Sequence, residues 1–450
     1  MKISLLFGKK KSISAYFYTK LFLVIALLPS QFCFGQDYVY IDTSDFCIGT
    51  ITRYYEHIPP MHYMKTSDRS GKFLFRWQYT PQSYLSFPFS GYNVKDFTIS
   101  GDTLFVCGED PSGVGFYAWV DMNVSSSLWQ FNIYNLFSAN AYVTDVRRIR
   151  VFYLNNRPNI LLIGNYVDQS INTPAVVHIK NDSDCWVAYR KGEHFDDIAV
   201  LDNYVVTVAR KGYDNPENSP HFMRVLHKNN FSLSDNLFWN SYSWGQLSAK
   251  DRILLQNVMN DKLVSVYHVD SALYINTYSV NTNGILQCHR YHSMPTAVID
   301  PIRDVTYNVF DTTLMVIHST DSIGIASRFR YTSVDSLSWI WSRFPDMQNY
   351  CTGCETLLLA TSQLYANTYM VSGISQNKMV VWKTANECVR PKTNVLYNKI
   401  NNIHPILDRN IIIERFPLSS TQQNSERMIT PFVPVCERGK FETSKNSSEK

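Results

Sequence analysis

The chain has 450 residues, of which 45% are hydrophobic and 14% aromatic, and its net charge is +4. The first 35 residues carry five lysines and no acid, so the remainder carries −1 and has no net field to attract nucleic acid or an anionic membrane. Residues 36–417 contain no Pro/Gly/Ser-rich stretch and no charge block, which argues against separate domains joined by linkers.

The N-terminal leader has the pattern of a signal peptide. After its basic start, residues 21–28 form an apolar core that is too short to span a bilayer as a helix. Cys33 and Gly35 then place small residues at −3 and −1 of a cleavage site before Gln36. We expect residues 1–35 to be removed and the protein to be exported, to an extracellular, cell-surface or periplasmic location. An uncleaved membrane anchor is the alternative.

An acidic residue, a short apolar run, a turn and a second apolar run recur about every 50 residues, a period typical of repeat architectures. The acids follow one another at 49, 52 and 107 residues, the last interval being two repeats. They are Asp96, Asp145, Asp197 and Asp304. Weaker copies begin at Leu254 and Cys354, the second with its acid at Glu355. Such self-similarity indicates an array of small β-sheets.

Tryptophans form a second marker with the same period, near the end of each copy. They are Trp129, Trp186, Trp239 and Trp339, and Trp77 lies 52 residues before the first of them. Tyr291 occupies the position of the tryptophan in the weaker copy that begins at Leu254. We predict that these tryptophans occupy equivalent positions and fill the gap of about 10 Å between packed sheets.

Each copy divides into four short β-prone runs separated by turn residues. In the first copy the runs are residues 96–100, 103–108, 115–122 and 127–133. With this period and strand count, residues 90–390 resemble the β-propeller repeat proteins. The resemblance implies an all-β fold of four-stranded antiparallel blades, with seven blades favoured and six as the alternative. The GH…WD pair and the S-x-D-x-G-x-[TS]-W box of better-known propellers are missing, so no specific family is indicated.

The two ends of the chain are expected to close the ring. Residues 36–57 and the late apolar strand 411–416 are predicted to share one blade, because closure removes exposed sheet edges. A single propeller domain would then span residues 36–436. Residues 437–450 form a polar tail outside the fold.

Cysteine and histidine groupings offer two candidate metal or redox sites. Cys351 and Cys354 form a C-x-x-C motif, but no helix follows and no second pair exists, so we predict a small-loop disulfide or plain thiols. Cys288, His289 and His292 are close in sequence. Strand alternation places the first and third on one face and the second on the other, which leaves at most two ligands. The remaining cysteines that lie within the repeats, Cys107 and Cys185 among them, are predicted to be single buried thiols.

Three acids lie beside a histidine in the segment Glu193-His194-Phe195-Asp196-Asp197. Residues of these types can act as general acids and bases in catalysis. Because Asp197 is the repeat acid, we expect it to cap a turn by accepting hydrogen bonds from local backbone N–H groups. The alternative is a ring in which the repeat acids surround one mouth of the channel and hold a cation such as Ca²⁺. That ring would consist of Asp96, Asp145, Asp197, Asp304 and, as a fifth member, Glu355.

No catalytic set converges in the sequence, so catalytic residues stay unassigned and no cofactor or metal is predicted. We predict a secreted, monomeric, non-enzymatic binding module that presents loops to a protein or glycan partner. Nucleic-acid binding and a membrane span are not expected. The alternative function is a glycan hydrolase or lyase, which would require two carboxylates about 5–10 Å apart in a channel or top-face cleft.

Overall fold

The computed structural model describes the chain in segments. They are residues 38–42, 49–54, 61–67, 71–77, 81–86, 92–100, 103–121, 128–138, 140–169, 171–181, 184–189, 192–211, 221–230, 240–244, 253–269, 272–295, 302–319, 324–343, 357–365, 368–375, 378–383, 396–398, 404–407, 412–428 and 432–437. The predicted leader, the C-x-x-C cysteines, Glu355 and Trp239 lie outside these segments. Among the residues described, none build a long apolar helix of the kind that crosses a bilayer.

Nearly all described residues lie in β-strands, numbered here in chain order. The first strand is β1 (Tyr38–Asp42). Sheet I contains β2 (Gly49–Tyr54), β3 (Met61–Ser67), β4 (Gly71–Trp77) and β5 (Pro81–Ser86). Sheet II contains β6 (Asn93–Ser100), β7 (Thr103–Glu109), β8 (Gly115–Asp121) and β9 (Leu128–Asn135). Sheet III contains β10 (Ala141–Leu154), β11 (Arg157–Asp168), β12 (Asn172–Asn181) and β13 (Asp184–Tyr189).

Sheet IV contains β14 (Glu193–Val200), β15 (Tyr204–Lys211), β16 (His221–His227), followed by a 3-10 helix (Lys228–Asn230), and β17 (Asn240–Trp244). Sheet V contains β18 (Leu254–Met259), β19 (Lys262–Val269), β20 (Ala272–Val280) and β21 (Leu286–Pro295). Sheet VI contains β22 (Ile302–Asn308), β23 (Thr313–Ser319), β24 (Gly324–Ser333) and β25 (Ser336–Arg343). Sheet VII contains β26 (Leu357–Tyr365), β27 (Thr368–Ser375), β28 (Lys378–Lys383) and the N-terminal β1. Five strands remain: β29 (Leu396–Asn398), β30 (His404–Leu407), β31 (Ile412–Pro417), β32 (Ser419–Met428) and β33 (Phe432–Glu437).

The strands within each sheet pair antiparallel in chain order, as the repeat predicts. Tight turns between the first two strands follow from residue types that tolerate positive φ. Asn155 and Asn156 have φ of 50° and 61° between β10 and β11, and Asn260 and Asp261 have φ of 48° and 53° between β18 and β19. Two successive positive φ values are the geometry of the hairpin turn that matches strand twist.

The first strands of the sheets contact one another in a cycle. The contacts run from β2 to β6, β10, β14, β18, β22 and β26, and β26 contacts β2 again. Buried apolar clusters fill the gaps between neighbouring sheets, for example Cys107 and Tyr117 of sheet II with Ile149 and Val177 of sheet III. The protein is therefore a β-propeller with its core between the sheets. These contacts favour seven blades over six. The number of blades stays a prediction.

The N-terminal strand closes sheet VII, but the late strand 411–416 does not join it. β1 pairs with β28 on one side and with β33 on the other. β31 instead pairs with β13 of sheet III, from Asp184 opposite Pro417 to Tyr189 opposite Ile412. The prediction that residues 36–57 and 411–416 share one blade is therefore wrong. An apolar strand pattern specifies a strand, but it does not specify which of several similar edges the strand will join.

The strands β29 to β33 form a strap along the outer edges of the sheets, which they join in the reverse of chain order. β29 pairs with β21, β30 with β17, β31 with β13 and β32 with β9. The last two residues of β32 also pair with β5, which joins sheets I and II into one nine-stranded sheet. The strap covers strand edges that would otherwise offer unpaired N–H and C=O groups.

Trp129, Trp186 and Trp339 lie in fourth strands, whereas Trp77 ends β4, the third strand of sheet I, so the prediction of a common position is wrong for Trp77. The side chains of Trp186 and Trp339 are not equivalent either. Trp186 in β13 is partly buried against a cluster shared with sheet IV, the next sheet along the chain. Trp339 in β25 is partly buried against a cluster shared with sheet V, the preceding sheet. The predicted equivalence is wrong for this pair. A shift of one residue in register turns a side chain to the opposite face, and β25 has such a shift beside Trp339.

Candidate functional site

β-Bulges mark the start of the first strands in sheets II, III, IV and VI. The register shifts just before Asp96, Arg148, Asp197 and Asp304, so three of the four repeat acids directly follow a bulge. In β10 the residue after the bulge is Arg148, and Asp145 lies within the bulge at φ 48°. Asp145 is therefore not the structural counterpart of the other acids. Bulges re-aim side chains at such positions.

Two of the repeat acids tie their own sheet to the next one. Asp96 Oδ2 accepts a hydrogen bond from the backbone N–H of Ile149 in β10, at 3.1 Å. Asp197 Oδ2 accepts one from Leu255 N–H in β18 at 2.9 Å, and its Oδ1 accepts one from Ile198 N–H at 2.9 Å. Both acids are only 1% exposed. The prediction that the repeat acids accept hydrogen bonds only from local backbone N–H groups is thus incomplete, because these two carboxylates also accept hydrogen bonds from N–H groups of the next sheet.

Arginines from β10 neutralise these two carboxylates. Arg150 reaches in both directions, with Nη1 3.0 Å from Asp96 Oδ2 and Nη2 3.4 Å from Asp197 Oδ1. Arg148 Nε lies 3.5 Å from the same Asp197 oxygen. We call Asp96, Arg148, Arg150 and Asp197 the inter-sheet charge cluster. Its two acids converge on a guanidinium, which satisfies buried charges by pairing them.

Asp196 belongs to a separate buried group on sheet IV. Arg210 contacts both of its oxygens, at 2.7 Å and 2.8 Å, and Ile253 N–H donates to Oδ2 at 3.1 Å. Burial alone would raise the pKa of Asp196, but the His194 hydrogen bond and the Arg210 charge outweigh it and hold the pKa below its usual value. Asp196 is therefore ionised at neutral pH and cannot serve as a general acid there. Glu193 forms a buried ion pair with Arg224.

The bulge of β10 presents charged groups near the surface. Glu109 Oε1 accepts a hydrogen bond from Asp145 N–H at 2.9 Å, which holds the positive-φ residue in place. Arg147 Nη1 lies 2.7 Å from Asp145 Oδ2, and its Nη2 donates to the Phe195 carbonyl at 2.7 Å. The same Nη2 lies 3.3 Å from His194 Nε2. The arginine thus bridges sheets III and IV, while the Asp145 side chain stays 43% exposed.

Glycines in the neighbouring strands make room for this bulge. A Cβ on Gly164 in β11 would lie 2.8 Å from the Thr144 carbonyl oxygen, and one on Gly115 in β8 would lie 2.4 Å from a methyl carbon of Val146. Carbon atoms do not approach one another or a carbonyl oxygen so closely, so any larger residue would displace the bulge. The bulge therefore depends on two positions where the sequence provides no side chain.

Two exposed aromatic residues lie at the same end of sheet III. Phe137, which follows β9, forms an isolated antiparallel bridge with Tyr142 of β10, and the two residues are 45% and 39% exposed. Together with Glu109, Asp145, Arg147 and His194 they make up what we call the bulge surface. Aromatic residues and arginine are the types that dominate binding surfaces.

The other sequence candidates lie apart from this surface. Asp304 is buried at the start of β22. Among the residues that the structure describes, no three His, Cys, Asp or Glu side chains lie close enough together to hold a metal ion. Cys107, Cys185 and Cys288 are not in disulfides, and Cys107 and Cys185 are buried as predicted. Burial raises the pKa of Cys288 to about 12.

Cys288 and His292 do not share a face, contrary to the prediction. Cys288 lies opposite Tyr278 and packs against the cluster between sheets IV and V. His292 lies opposite Ile275, which belongs to the cluster between sheets V and VI. His289 between them is a bulge residue, and the extra residue reverses the alternation on which the prediction depended.

The arginines of the site were not among the residues predicted from the sequence. A signal was present, because the second repeat copy reads Val146-Arg-Arg-Ile-Arg150 where other copies have apolar first strands. Three cations on an inner strand require partners on neighbouring sheets. The identity of those partners depends on contacts about 50 residues away, which a pattern within one repeat does not contain.

Comparisons with known proteins find fold likenesses only. No family model matches the chain, and no curated protein matches it. Among solved structures, Drosophila Semaphorin 1a extracellular domains 1-2 are 8% identical, with 77% of this chain and 88% of that chain covered and a TM-score of 0.44. The Dos1 propeller is 9% identical, with 78% and 95% covered and a TM-score of 0.44. A mutant of AofleA from Arthrobotrys oligospora is 10% identical, with 84% and 92% covered and a TM-score of 0.40.

Proposed function

We propose that the protein is an exported, non-enzymatic binding module that presents its bulge surface to a protein or glycan partner. The observation that carries the proposal is the exposed pair Phe137 and Tyr142 beside a bulge whose ionic groups are held in place. Exposed aromatic rings offer a large contact area at low cost in side-chain entropy. A preformed bulge adds ionic groups that need no reorganisation on binding.

The surroundings of the buried acids favour binding over glycan hydrolysis. A hydrolase needs two carboxylates that reach the substrate from one solvent-filled cleft. Asp96, Asp196 and Asp197 are each 1% exposed, and their oxygens accept hydrogen bonds from backbone N–H groups and arginines. Carboxylates engaged in this way hold the sheets together. Because these three carboxylates are buried and cannot reach a substrate, they support a binding function rather than hydrolysis in this part of the ring.

A binding assay with paired surface variants tests the proposal. The mature chain is used as bait for secreted proteins and is applied to a glycan array, and the double variant Phe137→Ala/Tyr142→Ala is compared with it. We expect at least a tenfold loss of binding, about 1.4 kcal/mol. The matched control is Val309→Ala/Phe310→Ala in the β22–β23 turn, where both residues are 53% exposed. This turn follows the end of β22, the first strand of sheet VI, whereas the bulge surface lies near the start of β10, the first strand of sheet III. Equal loss in both variants would contradict the proposal, and hydrolysis of an arrayed glycan would favour the enzyme alternative.

Export, monomeric state and seven blades are parts of the same proposal. The basic leader supports export, and N-terminal sequencing of the exported protein should begin at Gln36. The cyclic contacts of the first strands support seven blades. Sedimentation of the mature chain should give one species of monomer mass, and a larger species at all concentrations would contradict the monomer.

A further inference from the structure

The strap crosses from one sheet to the next at Leu418. β31 lies on the outer edge of β13 and ends at Pro417, and β32 begins at Ser419 on the outer edge of β9. Leu418 connects the two strands, and its partly buried side chain packs against the apolar cluster between sheets II and III. The outer end of this gap between sheets therefore holds an apolar side chain, with a strand edge on either side of it.

The two strand edges recognise the strap through the backbone. β13 pairs with residues 412–417 in unbroken register, and β9 pairs with residues 419–426 from Ser419 opposite Asn135 to Glu426 opposite Leu128. β32 reads Ser-Ser-Thr-Gln-Gln-Asn-Ser-Glu-Arg-Met, so nine of its ten residues are polar. Backbone ladders supply affinity in strand addition, and a pocket for a side chain supplies specificity. Here the ladders belong to β9 and β13, and the pocket holds Leu418.

The strap and its site are far apart in the chain. The site consists of residues 128–135 and 184–189, whereas the strap residues that fill it are 412–426. Contacts between distant segments can form equally well between two copies of a chain, which is the basis of domain swapping. The strap passes along the outside of the ring, so its departure would leave the contacts among the first strands in place.

We propose that the outer edges of β9 and β13, with the pocket for Leu418, form a strand-addition site that accepts residues 412–426 from a second copy of this chain. In the monomer the chain's own strap occupies the site. In the exchanged, symmetric pair each ring carries residues 412–426 of the other copy, and this contact is separate from any partner bound at the bulge surface.

A labelled peptide of residues 410–428 tests the site in trans. The full-length Leu418→Asp chain is the acceptor, because a charge in the apolar pocket weakens its own strap. We expect it to bind the wild-type peptide at least about tenfold more tightly than it binds the Leu418→Asp peptide, as loss of one partly buried leucine would give. The wild-type chain should bind little of either peptide, since its tethered strap competes at an effective concentration in the millimolar range.

Equal binding of the two peptides, or binding of neither, would overturn the proposal. If the Leu418→Asp chain does not fold, the Leu418→Ala chain replaces it with the same comparison. Exchange between copies is then measured directly. Tagged and untagged wild-type chains, refolded together at high concentration, should co-purify as a pair, and an excess of the wild-type peptide during refolding should lower the yield of that pair. Co-purification that the peptide leaves unchanged would place the contact elsewhere and would also overturn the proposal.

Discussion

The inter-sheet charge cluster and the gap between sheets V and VI bury polar side chains in opposite ways. At the cluster, Asp197 forms ion pairs with arginines of sheet III and accepts a hydrogen bond from a backbone N–H of sheet V. Between sheets V and VI, the rings of His268 and His318 meet edge to face, with centroids 5.7 Å apart, and His318 Nε2 lies 2.9 Å from Ser327 Oγ. The cluster is stabilised by ion pairs, whereas the gap between sheets V and VI contains buried histidines that must stay neutral. Acid should therefore act on the two regions differently.

Burial sets the protonation of the histidine region. Burial, together with neighbouring His268, lowers the pKa of His318 to about 3, and burial with Arg290 lowers that of His292 to about 4. His292 is on the face of sheet V that packs against sheet VI. Both histidines are therefore neutral in the folded protein at pH 7, and a proton added to either would place a charge in a buried site at a cost in desolvation.

Removal of Asp197 should have the largest effect of the predicted changes. Asp197→Ala deletes the acceptor of two backbone hydrogen bonds and leaves Arg148 buried without one of its partners, so we expect a loss of about 3–5 kcal/mol in the free energy of unfolding. Urea unfolding monitored by tryptophan fluorescence measures it. Asp197→Asn keeps the size and one acceptor oxygen and should recover part of the loss.

An exposed ion pair provides the matched control for Asp197. Asp335 lies 3.6 Å from Arg290 at the surface, and Asp335→Ala should cost no more than about 1 kcal/mol. If the two alanine variants lose the same stability, the cluster is not what ties the sheets together, and the contrast between buried and exposed pairs does not hold for this protein.

Acid should destabilise the histidine region before the buried group around Asp196 on sheet IV. An unfolded histidine takes up a proton near pH 6.5, whereas folded His318 does so near pH 3. Protonation between these values therefore stabilises the unfolded state relative to the folded state. Between pH 7 and pH 5, each such histidine should lower the free energy of unfolding by about 2 kcal/mol. The sign for Asp196 differs. Its pKa is lowered, so its contribution is complete above the unfolded value of 3.8 and is lost only as the pH falls further.

The melting temperature of His318→Gln as a function of pH tests this order. The substitution removes the titrating group and keeps a donor for Ser327, so the slope between pH 7 and pH 5 should become shallower than in the wild type. An unchanged slope would show that other groups control the acid response, and the comparison between the two regions would lose its physical basis.

Short-range patterns in the sequence account for the predictions that succeeded. The period and the four-strand division depend on residues within one repeat, and the structure contains both. The failures all involve register or distant pairing. A bulge at His289 reverses strand alternation, and β31 selects β13 from several similar edges. Arg150 finds acids on two other sheets, so its role depends on how whole sheets stack.

Removal of divalent metal should have the smallest effect. The cation-ring hypothesis requires carboxylate oxygens to converge on one ion at about 2.3–2.6 Å. Asp96 and Asp197 instead converge on Arg150, and Asp145 turns toward Arg147. A metal ion would have to displace a guanidinium from a buried pair. We therefore expect EDTA to change the melting temperature by less than about 1 °C, because no ligand that stabilises the folded state is removed. A drop of several degrees, restored by added Ca²⁺ and absent in Asp197→Asn, would instead show that the acids hold an ion.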